Sequence, residues 1–154
     1  MPIIKPFKLE IKDKEIKDLN MRLLNTRLPD QGPGEPWKTG TDLEWFKKLL
    51  EYWKTDFDWK SSENKLNSFP QFKTQISDID VHYIHCEGKG TKNIPLLLMH
   101  GWPGSVFEFL DLIPILTDPK KFGIESDIAF TVIAPSLPGF GLSYKAFQKR
   151  FGVE

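Results

Sequence analysis

Two hydrophobic periods divide the chain. Up to about residue 70 apolar positions recur at steps of three and four, and from Phe72 they alternate or run unbroken. The first period predicts a charged helix over residues 12–27, with Ile16, Leu19, Leu23 and Leu24 on one face and Pro29 ending it. Residues 29–36 hold three prolines and two glycines, a composition that excludes regular structure. A second helix opens with Thr41 or Asp42 as its N-cap and sets Leu43, Phe46, Leu50, Trp53 and Phe57 along one stripe. So aromatic a stripe requires a surface to bury against.

From Phe72 the period is two. Residues 72–76 and 79–86 read as paired strands around Ser77-Asp78, a weaker hairpin signal than Asn-Gly. After a polar loop, Pro95 to Met99 form an unbroken apolar run, which predicts a strand covered on both faces and interior to a sheet. Val106, Phe109, Leu110, Ile113 and Leu116 predict a helix over residues 105–116, its last turn loosened by Pro114. Residues 130–134 return as a second apolar strand, so the order is strand, helix, strand: a parallel unit with a right-handed crossover. The fold class is α/β. With a single crossover helix, the last strand is expected as an exposed apolar edge of an incomplete sheet.

Composition narrows the function. The 40% apolar content supplies a core, and 21 basic against 21 acidic residues leave no net field to attract nucleic acid. Cys86, the single cysteine, excludes an internal disulfide and leaves too few thiolates for a structural zinc site; neither a metal nor a cofactor is expected. No apolar run reaches the roughly 18 residues of a membrane span, and the start resembles no signal peptide. As it stands the chain is expected in the cytoplasm, neither anchored nor secreted.

The chemistry concentrates where the apolar strand turns into the helix, His100-Gly101-Trp102-Pro103-Gly104-Ser105. Pro103 has no N–H, which leaves Trp102, Gly104 and Ser105 as backbone donors facing any negative charge at the turn. A preset donor of this kind stabilises a tetrahedral oxyanion by roughly 2.7–4 kcal/mol. Residue chemistry alone favours a plainer alternative, a strand-to-helix turn that needs glycine only for its geometry. No G-x-G-x-x-G and no P-loop occurs, so dinucleotide or nucleotide phosphate binding is not expected. Residues 135–143, Pro-Ser-Leu-Pro-Gly-Phe-Gly-Leu-Ser, follow the last strand and either border a pocket or form a rigid loop.

Ser105, Ser136 and Ser143 are conceivable nucleophiles, but none lies in G-x-S-x-G, and Ser105 fits the first turn of the helix better. His82 and His85 stand three apart on a strand, point to opposite faces and cannot share a metal. They read as strand residues with local hydrogen bonds. His100 is expected to brace the turn rather than abstract a proton. Trp37, Trp45, Trp53 and Trp59 are expected in core or inter-domain packing.

Taken together, the 100–105 and 135–141 segments, Phe72-Lys73-Thr74-Gln75-Ile76, Val81-His82-Tyr83-Ile84-His85, Asn25-Thr26-Arg27-Leu28-Pro29 and residues 52–59 resemble the microsomal type of epoxide hydrolase, which includes the insect juvenile-hormone enzymes. The resemblance covers nearly the whole chain. It implies an α/β-hydrolase fold, incomplete here, with residues 1–70 as the family's helical N-terminal extension and residues 71–154 as the first strands of the hydrolase domain. It also implies a chemistry: an aspartate opens the epoxide with help from two lid tyrosines, and a histidine oriented by an acid then activates water against the ester. The H-G-x-P turn supplies one oxyanion-hole N–H, which assigns the backbone donor to Trp102, with His100, Gly101 and Pro103 shaping the turn. A cis peptide at Trp102-Pro103 fits the family pattern.

The nucleophile, lid, acid and catalytic histidine of the family have no counterpart by motif in these 154 residues. The leading expectation is therefore the N-terminal part of an epoxide hydrolase, inactive alone, whose completed form takes a small apolar epoxide, xenobiotic or of juvenile-hormone type. A short non-catalytic paralogue that binds a ligand or partner is the second, and a truncated serine esterase or dehalogenase the third. Family members at the endoplasmic reticulum membrane carry an N-terminal anchor that this sequence does not show.

Overall fold

The computed structural model describes residues 3–145 and Phe147; the Met1-Pro2 start, Ala146 and the end of the expected hydrolase segment, residues 148–154, lie outside them. The elements are β1 (Lys5–Phe7), α1 (Asp13–Leu24), α2 (Leu43–Thr55), α3 (Trp59–Asn67), β2 (Gln71–Ile76), β3 (Ile79–Cys86), β4 (Lys92–Leu97), α4 (Leu112–Thr117) and β5 (Ile128–Pro135), with short 3-10 turns at Val106–Phe109, Pro119–Phe122 and Gly141–Ser143. They divide into two compact units, one of Glu10–Glu63 and one that takes in the strands on either side of it in sequence.

In the Glu10–Glu63 unit, α1 is shorter than its pattern. It stops at Leu24 because the Asn25 and Thr26 side chains turn back onto the Met21 and Arg22 carbonyls. Leu23 is buried, whereas Leu24, expected on the same face, is 70% exposed. The segment ahead of α1 is held by the buried Glu63 carboxylate, which accepts from the Ile11 N–H at 2.7 Å and from Lys60 at 3.1 Å. Asp42, not Thr41, caps α2, accepting from the Trp45 N–H at 2.8 Å. No residue of α2 is buried, and Trp37 and Trp45 meet edge to face at 5.2 Å with both rings exposed. Core packing, expected for the tryptophans, does not hold for Trp37, Trp45 or Trp53: two facing helices alone offer too little surface to enclose them.

The strands form one five-stranded sheet in the order β1-β2-β3-β5-β4, antiparallel except for the β4–β5 pair. β1, which the periodicity did not predict, is too short to show a pattern. The hairpin of β2 and β3 closes at Ile76 and Ile79, and Ser77 and Asp78 both take positive φ, 48° and 66°, the conformation a two-residue turn of matching twist requires.

Three sequence expectations do not hold: the interior place of β4, the exposed-edge place of the last strand, β5, and the single crossover helix. β4 is not interior: among the described residues it is the edge, and β5 is the strand buried between β3 and β4. The apolar run had suggested cover on both faces, yet Leu97 and Met99 are 58% and 59% exposed. The crossover, expected as one helix over residues 105–116, is instead a 3-10 turn and then α4. Pro114 explains the break. Its ring would collide with the Leu110 carbonyl in a continuous helix, whereas in the first turn of α4 its missing N–H costs nothing.

The main buried cluster lies on one sheet face. Leu66, Ile84, Val106, Leu110, Ile113, Val132 and Ala134 form it, with Ile84, Val132 and Ala134 supplied by alternate strand positions. Burying each large aliphatic side chain contributes about 1.5–3 kcal/mol before the entropy of ordering. The opposite face carries Leu97 and the 38%-exposed Ile133.

Candidate functional site

The turn after β4 and the loop after β5 meet at the C-terminal ends of the two parallel strands, the end at which open α/β sheets hold ligands. The local sequence builds the turn. Trp102-Pro103 is cis. Gly104 donates its N–H to the Gly101 carbonyl at 2.7 Å, and Ser105 and Glu108 form a reciprocal cap: the Ser105 hydroxyl accepts from the Phe107 N–H at 3.3 Å while the Glu108 carboxylate accepts from the Ser105 N–H at 3.0 Å. A side chain at position 104 would overlap the end of that carboxylate and lie 3.1 Å from the Gly101 oxygen, so glycine there lets the Glu108 cap close on the turn. Of the three donors at the turn, Gly104 and Ser105 are thus consumed internally. Among the described residues the Trp102 N–H makes no hydrogen bond, and its residue is 83% exposed.

His100 is buried and joins the turn to the loop. Its Nε2 accepts from the Leu137 N–H at 3.1 Å, so the ring proton sits on Nδ1, which donates to the Gly101 carbonyl at 3.2 Å. Phe140 meets the ring at 5.8 Å. With both nitrogens engaged, His100 has no lone pair free to take a proton from a substrate.

Ser136 and Ser143, weighed as nucleophiles from the sequence, are only 3% and 1% exposed and are locked around His82, which is fully buried. His82 Nδ1 stands 2.9 Å from the Ser136 hydroxyl and Nε2 3.0 Å from Gln71 Oε1. The Gln71 amide donates to the Leu66 carbonyl and to Asn67 Oδ1, so its oxygen must accept, and the directions follow: His82 carries its proton on Nε2, and the Ser136 hydroxyl donates to Nδ1. Three further bonds clamp the same residues: His82 N–H to the Ser143 hydroxyl at 2.9 Å, that hydroxyl to the Ser136 carbonyl at 2.7 Å, and Ser136 N–H to the His82 carbonyl at 2.9 Å. Burial, and then the charge of Lys73, lower the His82 pKa to about 4. A Ser–His–Gln series has the form of an activated nucleophile, but nothing can reach this serine and the imidazole is a weak base. The alternation signalled this cluster only as a histidine at an inward position two residues from Ile84.

The remaining candidates stand apart. His85 lies on the other face of β3 from His82, its ring edge-on to Phe72 at 6.3 Å. Cys86 is half-buried, and burial pushes its thiol pKa up. Among the described residues no three His, Cys, Asp or Glu side chains cluster as a metal site would need, and no helix is long and apolar enough to cross a membrane.

Comparison with known proteins supplies the family. The family model for the epoxide hydrolase N terminus matches residues 4–109. A putative epoxide hydrolase of Stigmatella aurantiaca is 47% identical over 150 residues, covering 97% of this chain and 34% of its own length. Epoxide hydrolase 1 of Oryctolagus cuniculus is 44% identical over 152 residues, covering 96% and 33%. The chain thus spans about a third of the length of these relatives. The crystal structure of juvenile hormone epoxide hydrolase from the silkworm Bombyx mori superposes with a TM-score of 0.81 at 36% identity, over 92% of this chain and 38% of that one. With that fold, that turn and a family model matching well over half of its residues, the chain belongs to the epoxide hydrolase family and corresponds to the N-terminal portion of an α/β-hydrolase fold.

Proposed function

We propose that this chain contributes one half of an oxyanion hole, the Trp102 backbone N–H, to the hydrolysis of a small apolar epoxide to its vicinal diol. The observation that carries the reading is how the three donors around Pro103 are used: Gly104 and Ser105 bond Gly101 and Glu108, and of the three Trp102 is left to meet a developing charge. His100, Gly101 and Pro103 act by shape. In this reading residues 1–70 are the helical extension and residues 71–154 the opening strands of the hydrolase domain, acting in the cytoplasm or, behind an N-terminal anchor, at the endoplasmic reticulum membrane.

The 154 residues alone are expected to be inactive, because no aspartate or histidine in them matches the family's nucleophile or base by motif. The test is direct. Purified chain incubated with styrene oxide should release no diol above the uncatalysed rate, and turnover would overturn the claim. Fused to the C-terminal two thirds of the Stigmatella relative it should gain activity, and Trp102→Pro in that fusion, which deletes the N–H, should lower kcat about 10²–10³-fold. An undiminished rate would remove Trp102 from the mechanism.

The open edge of β4, with Leu97 and Met99 exposed beside it, favours a second reading. There the chain is a non-catalytic relative that binds a partner, and a soluble, cooperatively folding product would support it.

A further inference from the structure

We propose that His82, acting through Ser136, is the positioning residue for the Trp102 donor. This deepens the oxyanion reading and rests on it. Gly101 C=O and Trp102 N–H belong to one rigid amide, so whatever fixes the carbonyl fixes the direction of the N–H on its far side. Two donors hold that carbonyl, the Gly104 N–H at 2.7 Å and His100 Nδ1–H at 3.2 Å.

His100 can donate from Nδ1 only while Nε2 accepts, and the group it accepts from is the Leu137 N–H. Leu137 is the next residue after Ser136, whose hydroxyl, N–H and carbonyl are all engaged by His82 and Ser143. Behind His82 stands Gln71, whose amide is anchored on Leu66 and Asn67. Every hydrogen along this path has one permitted direction. The two buried histidines must therefore hold opposite neutral tautomers, His82 on Nε2 and His100 on Nδ1, and the path ends on the Trp102 N–H, which among the described residues carries no hydrogen bond. If His82 served only as core filling, losing its bond to the Ser136 hydroxyl would leave the Leu137 and Trp102 amides as they are.

The test is nuclear magnetic resonance on the ¹⁵N-labelled 154-residue chain. Ring-nitrogen shifts should show His82 protonated on Nε2 and His100 on Nδ1; the reverse tautomer at either ring overturns the proposal, and this reading needs no variant. In Ser136→Ala the Leu137 amide should exchange at least tenfold faster and the Trp102 amide resonance should move, with Ile84 and Val132 exchanging as before. Ser136→Thr, which keeps the hydroxyl, should restore both. Unchanged Leu137 and Trp102 signals in Ser136→Ala overturn the coupling, as does an equal acceleration at Ile84 and Val132, which would mean general loosening. None of these readouts uses turnover, so their failure leaves the Trp102 donor standing, and an active fusion indifferent to Trp102→Pro leaves the path standing.

Discussion

Pro95 pairs with Thr131 across the parallel ladder in the register that turns its missing N–H away from β5. Lys92 and Leu98 donate to the Asp127 and Ile133 carbonyls, so the even-numbered amides of this strand face β5 and the odd-numbered ones face the open edge. Proline is tolerated in a sheet only on such a side, and it leaves the open edge one donor short. Pro95→Val restores that donor beside the exposed Leu97. Self-association should rise, seen as increased light scattering at equal concentration, and unchanged scattering would show that the edge is already protected.

The two sheet faces predict opposite responses to truncation. Ile113→Ala, in the buried cluster, should cost about 2–5 kcal/mol in chemical denaturation. Leu97→Ala, on the open face, should change stability by no more than about 0.5 kcal/mol. Comparable losses would mean that both faces are covered in solution.

His82 makes stability depend on pH. Its folded pKa of about 4 lies below the ordinary histidine value of 6.5, so between these values the unfolded chain binds a proton that the folded chain refuses. The contribution is fully present above about pH 6.5, declines as pH falls and is gone near pH 4, a loss of up to roughly 3 kcal/mol. Unfolding free energies measured from pH 7 to 4 should show this slope, and His82→Asn should flatten it. An identical slope in the variant would assign the dependence to other groups.

Gly104→Ala should displace the Glu108 carboxylate from the Ser105 N–H and cost about 1–2 kcal/mol. With Glu108→Ala already present the same substitution should cost less, because the overlapping group is gone. Additive costs in the double-mutant cycle would point to the Gly101 carbonyl, 3.1 Å away, as the obstacle instead.

The hairpin turn invites the reverse change. Ser77 and Asp78 hold positive φ, which costs a residue with a Cβ about 1–2 kcal/mol. Ser77→Asn with Asp78→Gly should therefore raise the denaturation midpoint, by about 1 kcal/mol in stability. A lower midpoint would show that the serine or aspartate makes contacts beyond the turn.

Periodicity made the elements legible where a pattern had room to repeat: α1 and α2 from steps of three and four, β3 from alternation, the parallel pair from two apolar runs joined by one helical stretch. It failed on β1, three residues long, on α3, which was not read as a helix, and on the crossover, where a proline rather than the pattern decides whether a helix can continue. The H-G-W-P-G-S turn was equally legible as a motif. What the motif left open was which of Trp102, Gly104 and Ser105 keeps a free N–H, because that depends on where Glu108 and Gly101 fall.

By itself the sequence determined the α/β class, the hairpin, the site of the turn and the membership of the chain in its family, because each is a property of residue order and spacing. Strand order, the exposure of β4, and the coupling of Gln71, His82, Ser136 and His100 needed the tertiary structure. They join residues far apart in the chain, His82 and Ser136 standing 54 positions from each other, and no local pattern records which distant hydroxyl a buried imidazole will meet. Only the folded sheet sets that distance.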